Sequence, residues 1–92
     1  MWAILEHRKL ARELRGAPGH IRKKYEVWKN VVRHSGPEGL QTISGFNDEA
    51  LAGQWKGHRS SRLSLEYRVI YRIERRDLSV MVERVSKHDY RK

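Results

Sequence analysis

The hydrophobic period changes once along this chain, and that change constrains its fold more than any other feature. Beyond Trp55 the apolar residues fall at every second position. Leu63 and Leu65 alternate with Arg62 and Ser64, Val69, Tyr71 and Ile73 with Arg68, Ile70 and Arg72, and Leu78, Val80 and Val82 with Ser79, Met81 and Glu83. Such alternation builds strands with one buried face, and turn signals near Glu66 and at "RRD" (residues 75–77) divide them into a meander. Before residue 35 the repeat is three to four. Leu10 and Leu14 mark a short amphipathic helix in "EHRKLARELR", ended by "GAPG", where Pro18 disfavours helical geometry in the residue before it. Ile21, Tyr25, Trp28 and Val31/Val32 form the apolar stripe of a longer helix over about residues 20–34, stopped by "SGPEG". "MWAIL" at the N-terminus reads as a short strand, and residues 40–54 as a loop anchored by Ile43, Phe46 and Leu51. The expected architecture is α+β: a small antiparallel sheet, made of the N-terminal strand and the C-terminal meander, packed against an N-terminal helical hairpin. Its 92 residues suit a single domain, 1–92.

The polar positions of the strands are as informative as the apolar ones. "GQWKGHRSSRLSLEYRVIYRIE" carries Lys56, His58, Arg59, Arg62, Arg68 and Arg72, although Thr, Ser or Gln would serve an open sheet face equally well. Lys and Arg total 20 against 11 Asp and Glu, a formal net charge of +9. That excess on a short chain points to a polyanion, nucleic acid before an anionic membrane surface or an acidic protein. With no cysteine there is neither a disulfide nor a thiolate metal site, which fits a reducing cytoplasmic location. No apolar run approaches the length of a membrane span, and the N-terminal apolar stretch is too short for a secretory signal.

Arginine stays charged and binds phosphate through a planar fork, in the ground state and in a more highly charged transition state. RNA brings its own nucleophile, the 2′-hydroxyl, so cutting it needs no serine or cysteine. It needs charge stabilisation at phosphorus, a group that takes the 2′ proton and a group that protonates the leaving 5′ oxygen. Titrating groups stand near the basic strands: Glu49, His58, Glu66, and "KHDY" with His88, Asp89 and Tyr90. The histidines show no metal-ligand spacing, no phosphate loop or nucleotide fingerprint occurs, and "GHRSSR" lacks the frame of a nucleophile elbow. No metal and no cofactor is expected.

"LAGQWKGHRSSRLSLEYRVIYRIE", followed by a further strand and "VSKHDY", resembles the C-terminal half of the RelE/YoeB/YafQ group of bacterial toxins over about residues 40–90. The resemblance implies a RelE-like fold. It also implies a type II toxin–antitoxin toxin, an endoribonuclease that cleaves mRNA in the ribosomal A site, and neutralisation by an acidic antitoxin in a complex of unlike subunits. Arg62 falls where YoeB-like members have an arginine. Arg68 matches the strand arginine that contacts the scissile phosphate in RelE-like and YoeB-like members. Glu66 falls at a YafQ-type acidic position and Glu49 near a YoeB glutamate. His88 matches the C-terminal catalytic histidine and Tyr90 the aromatic that follows it, although Asp89 separates the two and the upstream histidine of YafQ is absent. Lys56, His58, Arg59, Arg72 and Lys87 are expected to bind RNA, and mRNA and ribosomal RNA are the expected nucleic-acid partners.

Two other readings compete. A ParE-like relative of the same fold poisons DNA gyrase by binding, and a basic module can hold RNA without cutting it. Each residue also has an ordinary role open to it. Arginine on an open sheet face is usually solvated, Glu66 suits a turn, Glu49 suits the "NDEA" loop, and the basic face of the long helix (Arg22, Lys23, Lys24, Lys29, Arg33) is usually solvated too. Trp2, Trp28, Trp55, Tyr67 and Tyr71 are expected to pack in the core more often than to stack on bases.

Overall fold

The computed structural model describes residues 1–87, so His88 and Tyr90 lie outside the described residues. The chain opens with strand β1 (Ala3–Glu6) and passes through helices α1 (Leu10–Gly16), α2 (Gly19–Ser35) and α3 (Pro37–Gln41). It then forms strands β2 (Glu49–Ala50), β3 (Arg59–Arg62), β4 (Tyr67–Glu74) and β5 (Ser79–Lys87), with single 3₁₀ turns at Ser44–Phe46, Gly53–Trp55 and Arg75–Asp77. The strands make one sheet in the order β1-β5-β4-β3-β2.

The expected α+β layout holds, with two additions. Strands β2 to β5 pair antiparallel in sequence, but β1 lies parallel to β5, with Ala3 opposite Ser79 and Glu6 opposite Val82. The sheet is therefore mixed rather than wholly antiparallel. The helices return the chain to the far edge, antiparallel to β1, and three reversals bring β5 back beside β1 running in its direction. The second addition is structure in residues 40–54, read as a loop: α3 runs into it as far as Gln41, and β2 and two 3₁₀ turns follow. Phe46 anchors this segment in the core, whereas Ile43 is exposed.

The helices cover one face of the sheet. Leu10 of α1 and Ile21, Tyr25, Trp28 and Val32 of α2 are buried against Val69 and Tyr71 of β4 and Val80, Val82 and Val85 of β5. These α2 residues form the stripe that a 3.6-residue repeat sets on one side of a helix. Tyr25 stacks on Trp28 at 5.7 Å, and Trp28 meets Tyr71 edge-on at 5.2 Å. Trp28 and Tyr71 thus join the core as expected. Trp2 and Tyr67 pack partly buried against it, and Trp55 stays partly exposed.

Two strand boundaries depart from simple alternation. Leu63 and Leu65 belong to the turn after β3, where Leu63 is buried and Leu65 is 75 % exposed. Strand β5 runs past Glu83 to Lys87 because its register slips by one residue: Ile70 pairs with Arg84, but Tyr71 pairs with Val82. The extra residue, Glu83, is a bulge. It lets Val85 rejoin the core face after Val82 and leaves Glu83 and Arg84 together on the other face.

Helix α2 stops at Gly36, whose φ of +72° belongs to the left-handed region and whose N–H donates to the Val32 carbonyl at 2.8 Å. A Cβ there would sit 2.7 Å from Nε1 of Trp2. Gly36→Ala is therefore expected to destabilise the protein by about 1–2 kcal/mol or more, read as a lower urea midpoint with an unchanged slope. Among the described residues no helix is long and apolar enough to cross a membrane.

Candidate functional site

The face of the sheet turned away from α2 carries the arginines. On β4 the odd-numbered residues Val69 and Tyr71 pack in the core, so Arg68, Ile70 and Arg72 face the other way. Strands β3 and β4 pair with Arg62 directly opposite Arg68 and Ser60 opposite Ile70. Across the next ladder Glu49 of β2 lies opposite Ser60. Pairing register therefore brings Glu49, Ser60, Arg62 and Arg68 onto one face. They line a cleft of about 120 Å³, whose rim is formed by Asn47 and by the β3–β4 turn. The Ser64 hydroxyl shapes that turn by accepting hydrogen bonds from the N–H groups of Glu66 and Tyr67, both at 3.1 Å.

The two arginines face each other, and no carboxylate among the described residues is within ion-pairing distance of either. Nε of half-buried Arg68 has no hydrogen-bond partner among them. Like charges directly opposite on neighbouring strands destabilise a sheet, by about 0.2–1 kcal/mol. A fold that only needed a polar face would gain by replacing either one. The arrangement suits a dianionic or developing negative charge held between two planar forks.

Behind this face, on the helix side, lies a polar cluster with no sequence signature. Asn47 takes a left-handed conformation (φ +42°), which asparagine tolerates, and leads into β2 with Asp48 and Glu49 pointing to opposite faces. The Asp48 side chain is fully buried. It accepts hydrogen bonds from Arg59 Nε at 2.7 Å, Ser61 Oγ at 2.6 Å and the Tyr71 hydroxyl at 2.6 Å. Trp28 Nε1 in turn donates to Ser61 Oγ at 2.9 Å, linking α2 to the same cluster. Burial, and then the hydrogen bond to Asp48, raise the Tyr71 phenol far above its ordinary range, so it stays a donor. For Arg59 burial acts to lower the pKa, but the hydrogen bond and charge of Asp48 outweigh it and raise the value. By holding β2 against β3, Asp48 sets Glu49 beside Ser60 on the cleft face.

Several residues expected at the site are placed elsewhere. Arg59 stands opposite Tyr71 on the helix side of the sheet and is paired with Asp48, away from the face that carries Arg62 and Arg68. The reason is parity: it stands three positions, an odd number, from Arg62 along one strand. Arg72 is on the open face but is paired with Glu74 and, at 3.3 Å, with Glu83. Half-buried His58 precedes β3, with Nε2 3.7 Å from Glu83 Oε2, Nδ1 buried without a partner among the described residues, and Trp55 edge-on at 5.1 Å. It stands four residues along β3 from Arg62, roughly 13 Å. Glu66 is exposed on the β3–β4 turn and does not line the cleft. Lys56 is exposed on the turn before β3. Lys87 pairs with Tyr67, one position past Ser86, which stands opposite Arg68. On α2, Lys29 is drawn to Glu26 at 3.0 Å and Glu6 at 3.7 Å, and Arg33 bonds Asn30, so that basic face is partly spent within the protein.

The fold has solved counterparts. The archaeal RelE of a RelE–RelB complex from Pyrococcus horikoshii superimposes with a TM-score of 0.77 at 17 % identity, covering 98 % of each chain. YafQ from E. coli strain BL21(DE3) gives 0.75 at 16 % identity over 96 % of this chain and 94 % of that one. A YoeB/ParE toxin from Agrobacterium tumefaciens gives 0.75 at 14 % identity over 95 % and 99 %. No protein-family model matches the chain, and no curated protein matches its sequence.

Proposed function

The chain has the fold shared by the RelE, YafQ and YoeB toxins, and we propose that it is the toxin of a type II toxin–antitoxin pair that inhibits translation by cleaving mRNA, at the ribosomal A site. The observation that carries this reading is the Arg62–Arg68 pair, two guanidinium groups without an ion-pair partner among the described residues, held opposite each other in a cleft that Glu49 also lines. In the proposed reaction the scissile phosphate lies between Arg62 and Arg68. Glu49 takes the proton of the 2′-hydroxyl, whose oxygen forms a bond to phosphorus while the bond from phosphorus to the 5′ oxygen breaks. The leaving oxygen takes a proton from His88, and Tyr90 orients the ribose. The roles of His88 and Tyr90 rest on the sequence resemblance, and Glu49 is preferred to Glu66 because it lines the cleft.

The partner in this reading is a small acidic antitoxin, favoured by the net charge of +9 and by a counterpart crystallised as a RelE–RelB complex. The test is Glu49→Gln, which keeps the shape of the side chain and removes its basicity. Cleavage of mRNA during induction is expected to slow about 10²–10⁴-fold, with RNA affinity unchanged. Equal cleavage by the variant would remove Glu49 from the mechanism. Intact mRNA under the wild-type protein, with altered DNA supercoiling, would favour the ParE-like reading instead.

A further inference from the structure

A second depression, of about 920 Å³, is not used by the proposed reaction. It lies between the outer side of α1 and the Gly53–Trp55 turn, with Glu83 and Arg84 of β5 between them. Arg12 and Arg15 of α1 line it, three residues apart and so on one side of the helix, away from Leu10 and Leu14, together with Arg8 of the turn before α1. None of the three is ion-paired among the described residues. The two carboxylates present are already engaged. Glu13 accepts from Arg84 Nε at 2.6 Å and from the Val85 N–H at 2.9 Å, and Glu83 accepts from Arg72 Nε at 3.3 Å. The groove therefore keeps an excess of positive charge that no group among the described residues neutralises. Its opposite wall is Trp55, partly exposed and steadied edge-on by His58.

No residue lines both the groove and the cleft, but the strand register brings their edges near each other. Arg68 pairs with Ser86, and Arg84 lies two residues from Ser86 on the same strand, so Arg68 and Arg84 are roughly 8 Å apart along the sheet. A row of arginines facing an exposed aromatic is the pattern that holds single-stranded nucleic acid, charge tracking the backbone while the ring stacks on a base. We propose that this groove binds the single-stranded RNA flanking the cleaved phosphate, with its backbone against Arg8, Arg12 and Arg15 and a base stacked on Trp55. The inference rests on the reading above only in taking RNA as the ligand. An acidic polypeptide would match the charge, but it would gain less from the aromatic wall and has no reason to continue into the Arg62–Arg68 cleft.

The test is equilibrium binding of a short fluorescein-labelled 2′-O-methyl oligoadenylate, which cannot be cut because its 2′ oxygen is blocked. Full-length wild type, Arg12→Ala/Arg15→Ala, Trp55→Leu, Trp55→Phe and Arg62→Ala/Arg68→Ala are titrated over a range of salt. In the Arg12/Arg15 variant the slope of log affinity against log salt should fall by about 1.4, the loss of two phosphate contacts on a single strand. Trp55→Leu should weaken binding about 5- to 100-fold with the slope unchanged, and Trp55→Phe should recover part of it. Circular dichroism checks that each variant is folded. If the groove variants match wild type while Arg62→Ala/Arg68→Ala loses binding, the groove inference fails and the cleft reading stands. If wild type binds no oligonucleotide, the groove inference fails, while the cleavage reading is decided separately by mRNA integrity during induction. If polyglutamate binds with a salt slope that depends on Arg12 and Arg15 while RNA does not, the groove serves an acidic protein and the proposal is overturned.

Discussion

Replacing Arg68 by alanine is expected to lower RNA cleavage about 100- to 1,000-fold while the protein stays folded, and growth inhibition on induction should be lost with it. That is the usual effect of removing one preorganised donor from a developing anionic charge. Arg68 is the better placed of the pair: it is half-buried on a central strand, so its guanidinium is held by packing, whereas Arg62 is exposed on β3. The fold should tolerate the change because truncation removes the like-charge contact across the ladder, and stability should move by about 0.5 kcal/mol or less, in either direction. Arg62→Ala should follow the same pattern. The double variant should lose little more than the worse single one, because groups acting as a unit on one phosphate are not additive. Growth assays, primer extension on cellular mRNA and thermal unfolding together decide the matter. Undiminished cleavage at equal soluble expression would remove both arginines from the chemistry.

The largest effect on stability is expected at Asp48. Its carboxylate is fully buried and accepts from Arg59, Ser61 and Tyr71. Alanine there would leave a guanidinium and two hydroxyls facing a void, and breaking a buried ion pair from one side costs about 3–5 kcal/mol. Single domains have only about 5–15 kcal/mol in total, so Asp48→Ala should sit near the edge of unfolding, with a thermal midpoint lower by at least about 10 °C. Asp48→Asn keeps the shape and accepts through one oxygen only, so its loss should be intermediate. Because Asp48 seats β2, cleavage should fall in proportion to the unfolded fraction, and low temperature should restore it in the asparagine variant. A loss below about 1 kcal/mol for alanine would mean that the cluster is not what holds this corner together.

Alternation along β4 and β5, the apolar stripe of α2 and the breaks at Pro18 and Gly36 determined the element types from the sequence alone. These are local properties: a side chain's face follows from its own position in a strand or helical turn. The same parity already separates Arg59 from Arg62, although composition draws the eye to both as one basic run. Tertiary structure decided what no local pattern carries. Arg62 meets Arg68 because the turn through Leu63 and Leu65 sets one register out of several possible ones. Glu83 is a bulge because only a one-residue slip returns Val85 to the core beneath the helices. Asp48, a lone acid in an aperiodic segment, is buried because Arg59, Ser61 and Tyr71 arrive from two neighbouring strands to satisfy it. Sequence determines which side of its own element a residue faces. Which residues meet there is set by pairing between distant segments, where burial of the whole core, and not the preference of any single stretch, selects the register.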